Sequence, residues 1–260
     1  TLIGQIDLIS LGNIDFMGFG ALEFDFNTHY PLQCYDIAGI IGSNLFRGLA
    51  IKIDYENRKL IITDRIKNLA PKTKPIKMTL QGHQLRPLLH LKLGEHKKIV
   101  EQVLFDTGFN GFYTIGDQAF QQLAKYEGMY HEITEMYGKG SAGLYGTGEY
   151  TTQYFVTLSN FSIDKAAFRG VITRTTHANS SILGADILKY GNAILDFRKK
   201  RFYFEQTKEY VSDPSHRPQY IASVEDGQYV IGFILDEKLK QQIQVGDRIL
   251  KIDGMDITTL

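Results

Sequence analysis

The sequence predicts a mainly β fold, and three observations carry that prediction. Short runs of β-branched, aromatic and aliphatic residues recur between clusters of Gly, Asn and Asp. The chain holds 15 Tyr and 16 Phe but no Trp, an aromatic usage suited to half-buried pleated surfaces. Only two stretches have helical spacing, and both are short.

Along the chain, "AIKIDYENRKLIITD" (50–64), "PLLHLKLGEHKKIVEQVLF" (87–105) and "NAILDFRKKRFYF" (192–204) each read as strand–turn–strand, with "YENRK", "GEHKK" and "FRKKR" as the polar turns. "GDQAFQQLAKY" (116–126) reads as a helix, with Asp117 as N-cap and Ala119, Phe120 and Leu123 on one face. "EKLKQQI" (237–243) reads as a second, shorter one. Two Pro-bearing stretches, "NLAPKTKPIK" (68–77) and "SDPSHRPQ" (212–219), read as extended connectors between modules.

Composition narrows the partners. Hydrophobic residues make up 43% of the 260, enough for a packed core, and Lys plus Arg equals Asp plus Glu at 29 each. That balance gives no electrostatic reason to expect nucleic acid or an anionic membrane. No stretch approaches the roughly 20 apolar residues of a membrane helix, so no membrane span is expected. Residue 1 is Thr with no charged-then-apolar leader after it, so any signal peptide is expected to be removed or to lie outside this sequence. Cys34 is alone, which rules out an intrachain disulfide or a cysteine metal cluster. The seven histidines show no HExxH or paired-ligand spacing, and His90, alternating with Leu89 and Leu91, reads as a surface residue. Neither a metal nor a cofactor is expected.

An internal repeat organises the rest. "GIIGSNLFRGLAIKIDYENRKLII" (39–62) and "SILGADILKYGNAILDFRKKRFYF" (181–204) fall into gapless register when Gly42 is placed on Gly184, an offset of 142 residues. Ile41 then meets Leu183, Leu45 meets Ile187, Asp54 meets Asp196, Tyr55 meets Phe197 and Lys59 meets Arg201. The same offset puts the counterpart of Asp106 about 36 residues before Thr1, so the first copy is expected to lack its front half and the chain to be a fragment of a longer protein.

"VLFDTGFNG" (103–111) ends an apolar run on Asp106-Thr107-Gly108, and Ile182-Leu183-Gly184 follows 78 residues after Asp106, counted to Gly184. With the strand and Asp-aromatic turn Leu195-Asp196-Phe197, these motifs resemble the aspartic proteases of the retropepsin and pepsin clan. The resemblance is greatest to bilobal bacterial forms followed by a PDZ module. It implies three parts: the second half of a first lobe at 1–70, a complete lobe at 76–207 and a partial PDZ at 219–260. It also implies pseudo-twofold barrel lobes, peptide-bond hydrolysis, peptide or protein substrates and a periplasmic or otherwise exported location.

Amide hydrolysis without metal or covalent intermediate needs a water activated and a carbonyl polarised at once. Two carboxylates sharing a proton do both, because like charges about 3 Å apart do not ionise together. The resemblance implies that Asp106 is one half of such a pair and that Thr107 hydrogen-bonds across the lobe interface, while Gly108 allows close backbone approach. Phe109 departs from the clan, which usually has Ala, Ser or Thr there; it offers the outer carboxylate oxygen no hydrogen bond and adds bulk near the cleft. Residues 1–75 contain no Asp-Thr/Ser-Gly. Three arrangements stay open: a mate upstream of Thr1, two chains pairing their Asp106 lobes, or a non-catalytic peptide binder. Lobes within one chain are expected over an obligate dimer.

"YGKGSAGLYGTGEY" (137–150) occupies the place of the clan's hairpin over the cleft, which makes Tyr137, Gly140 and Tyr145, with Phe109, the candidate substrate contacts. It lacks the strand–GxGxxG–helix context of a nucleotide loop. "QVGDRILKIDGMDI" (244–257) resembles the centre of bacterial PDZ modules, with Ile249 and Ile252 as its buried face. Such modules add an extended peptide as a strand, often by its C-terminal carboxylate.

Overall fold

The computed structural model describes residues 2–25, 37–94, 99–139, 142–143, 146–178, 180–212 and 217–258. In chain order its strands begin with β1 (Leu2–Leu11), β2 (Ile14–Glu23), β3 (Ala50–Asp54), β4 (Lys59–Thr63), β5 (Ile76–Gln81), β6 (Arg86–Leu93), β7 (Ile99–Phe105) and β8 (Tyr113–Gly116). Helix α1 (Asp117–Leu123) follows, then β9 (Tyr130–Gly138), β10 (Ala142–Gly143), β11 (Gly146–Thr147), β12 (Thr151–Ile163), β13 (Ala166–Thr176) and β14 (Ser181–Leu183). The remainder are β15 (Gly191–Asp196), β16 (Arg201–Gln206), β17 (Tyr220–Glu225), β18 (Gln228–Ile234), β19 (Lys251–Ile252) and β20 (Met255–Asp256). The protein is mainly β, as the sequence predicts. Among the described residues no helix is long and apolar enough to cross a membrane.

The chain divides into two compact units, residues 1–45 with 136–152 and 218–260, and residues 46–135 with 153–217. The second unit is built on a sheet in the order β4-β3-β15-β16-β5-β6-β7-β14-β8-β13-β12-β9. A further pairing of β12 with β6 (Phe161↔Leu93, Ser162↔Lys92) closes β6, β7, β14, β8, β13 and β12 into a ring. Strand alternation turns Leu89, Leu91 and Leu93 into its interior, and Val103, Phe105, Ile115, Leu158, Phe161, Phe168 and Leu183 of the ring strands are likewise buried.

The repeat is visible in three dimensions. After its glycine each copy enters a 3₁₀ turn, Ser43–Phe46 and Ala185–Tyr190, and then a hairpin, β3–β4 and β15–β16. The hairpins pair through β3 and β15, with Ile53 opposite Ala193, Lys52 opposite Ile194 and Ile51 opposite Leu195. Lys52 and Ile194 are repeat counterparts, since 194 − 52 equals 184 − 42. An antiparallel ladder in which a residue faces its own counterpart has the register of a local twofold axis through that pair. The outer edges differ. β16 carries β5 (Phe202↔Ile76, Arg201↔Lys77), and Phe202 and Tyr203 are buried. Their counterparts on β4, Leu60 and Ile61, are 50% and 40% exposed, with no strand on the outer edge of β4 among the described residues.

The first unit contains the β1–β2 hairpin, which leaves Ile3, Leu8, Met17 and Leu22 exposed, and the β17–β18 hairpin. Asp226 and Gly227 turn the latter with φ of 49° and 74°, the doubly positive geometry that Asp-Gly favours. Val230, Ile231, Phe233, Ile234, Leu235 and Ile257 are buried.

Several local expectations need correction. Asp117 is the first helical residue and Gly116 the N-cap; the aspartate pairs with His177 instead. The expected helix at 237–243 is a 3₁₀ turn, Leu239–Gln241, because only one short turn is available before Gly246 reverses the chain. His90 is half-buried rather than on the surface: its Nε2 lies 2.9 Å from Thr79 Oγ1, and burial followed by Lys77 lowers its pKa. Ile252 is 49% exposed, since among the described residues β19 pairs only with the two-residue β20. The "GEHKK" turn and the centre of the 212–219 connector lie outside the described residues.

Candidate functional site

Strand β7 delivers Asp106 to the rim of the ring. The Asp106 N–H donates to Leu183 O at 3.0 Å, and the Phe109 N–H donates to Asp106 O at 3.2 Å, closing a turn. Within it the Gly108 N–H donates to Asp106 Oδ1 at 2.9 Å, which fixes the carboxylate against its own loop. Asp106 is half-buried, while Thr107 and Gly108 are exposed.

The second motif passes directly behind this turn. Three-residue β14 is inserted between β7 and β8, parallel to the first (Ser181↔Val103, Leu183↔Phe105) and antiparallel to the second (Leu183↔Tyr113). At its end the Gly184 N–H donates to Phe112 O at 2.9 Å and the Ala185 N–H to Phe109 O at 2.8 Å. A Cβ on Gly184 would stand 2.2 Å from Gly111 O and 2.5 Å from Phe109 O, so only glycine fits. Asp106-Thr107-Gly108 and Ile182-Leu183-Gly184, 78 residues apart from Asp106 to Gly184, thus form one backbone-bonded unit. The ring of Phe109 fills the space left by Gly111 and Gly184, and Phe112 anchors the far end of the loop among Phe161, Phe168, Tyr190 and Tyr210.

No family model matches this chain, and no curated protein does. The chemistry therefore rests on geometry and on the motif resemblance. Among the described residues the Asp106 carboxylate accepts only the Gly108 bond, no second carboxylate shares it, and the Thr107 hydroxyl has no partner.

Beneath the loop lies a polar cluster that sequence reasoning missed. Tyr113 donates to Glu101 Oε2 at 2.5 Å, Ser181 donates to Glu101 Oε1, and the Gly116 N–H donates to Ser181 Oγ at 3.0 Å. Burial raises the Glu101 pKa against the opposing effect of the two hydroxyls, and burial followed by Glu101 raises that of Tyr113. One signal was available: Glu101 shares strand parity with buried Val103 and Phe105, so an acid occupies an inward position.

Tyr137 lies in the first unit, 63% exposed, its ring 6.2 Å from that of Tyr150. Gly140 and Tyr145 lie outside the described residues. β10 and β11 pair as a minimal hairpin (Ala142↔Thr147, Gly143↔Gly146). Its two limbs are held by the C-terminal segment. Gly232, skipped in the β17–β18 register where Phe233 pairs with Ile221 and Ile231 with Ala222, uses its freed carbonyl to accept the Lys139 N–H at 3.0 Å. Lys139 Nζ lies 3.1 Å from Glu225 Oε1, and the Tyr150 hydroxyl donates to Glu225 Oε2 at 3.0 Å, so Lys139 first and Tyr150 second lower the Glu225 pKa. Among the described residues no group of three or more His, Cys, Asp or Glu is placed to hold a metal ion.

Proposed function

We propose that the chain is part of an aspartic endopeptidase in which Asp106 is one member of a proton-sharing carboxylate pair. The observation that carries this reading is the joining of Asp106-Thr107-Gly108 to Ile182-Leu183-Gly184 through Gly184, a position where no side chain fits. The local twofold register of β3 and β15 supports a matching fold-half as the source of the mate. Leu60 and Ile61 on β4 present the apolar edge on which its outer strand would add, as β5 adds to β16.

In this mechanism the ionised carboxylate takes a proton from water as the water oxygen bonds to the scissile carbonyl carbon. The protonated carboxyl gives its proton to the carbonyl oxygen. Collapse of the tetrahedral intermediate returns that proton to the dyad and the other to the leaving amine, so the pair ends holding one proton. Thr107 and Gly108 hold the turn, and Phe109 beside it contacts the peptide. An exported location and a peptide ligand for the C-terminal PDZ-like segment belong to the same proposal.

A second reading, a cleft that binds peptide without cutting, is favoured by the bonding at Asp106, whose carboxylate accepts only the Gly108 N–H among the described residues. The two are separated by comparing a peptide with its analogue bearing a secondary alcohol in place of the scissile amide carbonyl. A peptidase binds the alcohol at least about 100-fold tighter, as transition-state mimics do, and equal affinity supports the binder.

A further inference from the structure

We propose that Glu101 is a positioning residue for the Asp106 turn, holding the three strand ends that form it from beneath. As a statement about catalysis this rests on the peptidase reading above; as a statement about the loop it does not.

The geometry is convergent. Glu101 lies on β7 five residues before Asp106, Tyr113 opens β8 immediately after Phe112, and Ser181 opens β14 three residues before Gly184. One carboxyl group thus bonds the strand that carries the aspartate, the strand that leaves its loop and the strand that backs it. β14 has only three residues, so its register against β7 depends on few ladder bonds, and a side-chain bond at Ser181 fixes it where Gly184 must meet Gly111 and Phe109. Ser181 also accepts the Gly116 N–H, and Thr173 donates to Tyr113 O at 2.5 Å, so both partners of Glu101 are themselves held.

Stability alone does not call for an acid here. Glu101 faces Leu91 across the ladder, on the inward parity of Val103 and Phe105. An apolar side chain of similar size would avoid the cost of desolvating a carboxylate. No cation accompanies it among the described residues. The groups around it are the hydroxyls of Tyr113 and Ser181, the buried hydroxyl of Tyr130, which has no described partner, and Gln118 and Gln122 of α1 across a cavity of about 370 Å³. A carboxylate accepts both donated hydroxyls at once, whereas an amide in its place offers one acceptor oxygen, and the other hydroxyl has to turn round and accept from its NH₂.

The test uses the full-length protein, with the fold-half that supplies the mate, carrying Glu101→Gln, and is read by amide hydrogen exchange, melting temperature and peptide cleavage. The expected result is a folded variant with the Asp106, Gly184 and Ala185 amides exchanging about tenfold or more faster, as the loss of a charge-assisted bond implies. In a parent that cleaves, kcat falls about tenfold or more with KM nearly unchanged. Exchange at those amides within about twofold of the parent overturns the proposal whether or not any peptide is cut. A parent that cuts nothing while the variant still loosens the loop sinks the peptidase reading and leaves the positioning role standing. Should Glu101→Gln not fold, Tyr113→Phe keeps the carboxylate and removes one donor; the same amides are then expected to exchange at least threefold faster, and an unchanged rate overturns the proposal.

Discussion

Replacing Gly184 with alanine tests the join between the two motifs, and Gly42→Ala supplies its control. Gly184 has φ −94° and ψ −172°, a conformation open to any residue, so the penalty is purely one of space. Its Cβ would meet Gly111 O at 2.2 Å and Phe109 O at 2.5 Å, both backbone atoms that a rotamer change does not move. Relief requires the loop and β14 to part, which breaks the Gly184–Phe112 bond of 2.9 Å and the Ala185–Phe109 bond of 2.8 Å. Two backbone bonds at about 1 kcal/mol each and overpacking of about 1–3 kcal/mol sum to about 3–5 kcal/mol. At Gly42 the added Cβ meets only Asn44 Oδ1 at 2.6 Å, the tip of a side chain that swings away, so Gly42→Ala costs within about 0.5 kcal/mol. Urea unfolding followed by far-UV circular dichroism reads both: with a slope near 2 kcal/mol/M, Gly184→Ala lowers the midpoint by about 2 M and Gly42→Ala barely moves it. Similar midpoints for the two variants would refute the reasoning, because they would mean that the backbone does not approach Gly184 closely.

Two further outcomes follow from the asymmetry and the clamp. Phe202→Ala, at a fully buried position, destabilises by about 3–5 kcal/mol, whereas Leu60→Ala at the repeat counterpart costs under about 1 kcal/mol; calorimetric melting distinguishes them. Glu225, whose folded pKa is depressed by Lys139 and Tyr150, contributes stability above the ordinary glutamate range and loses it as pH falls through the depressed value. A titration followed by NMR of its side-chain carboxyl is expected to move upward in Lys139→Met, and an unmoved curve denies the ion pair.

The hairpins were legible because alternation and polar turns both point the same way: β3–β4 and β15–β16 fall where "YENRK" and "FRKKR" place them. The Asp106 turn was legible as a motif, and Gly184 through its repeat. What the repeat could not supply was the ladder register, since it shows which residues correspond but not which strand edges meet, here Lys52 opposite Ile194. Glu101 escaped notice because charge suggests surface, and only the parity it shares with Val103 and Phe105 argues otherwise. His90 misled in the opposite sense: alternation gave its face, but the Thr79 hydroxyl that half-buries it comes from a neighbouring strand. The grip of Glu225 on Lys139 and Tyr150 joins segments 75 or more residues apart and has no local trace. Ile252 was assigned a buried face by a pattern whose covering element is not among the described residues.

Hydrolysis of an unstructured peptide between about pH 4 and 7, by the longer protein that includes the matching fold-half and by its Asp106→Asn variant, tests the paired-carboxylate claim most directly. The account predicts cleavage by the parent and a loss of at least about a thousandfold in the variant, the scale seen when one member of a catalytic unit is removed. Cleavage that survives the substitution, or a parent that cuts nothing across that range, contradicts it.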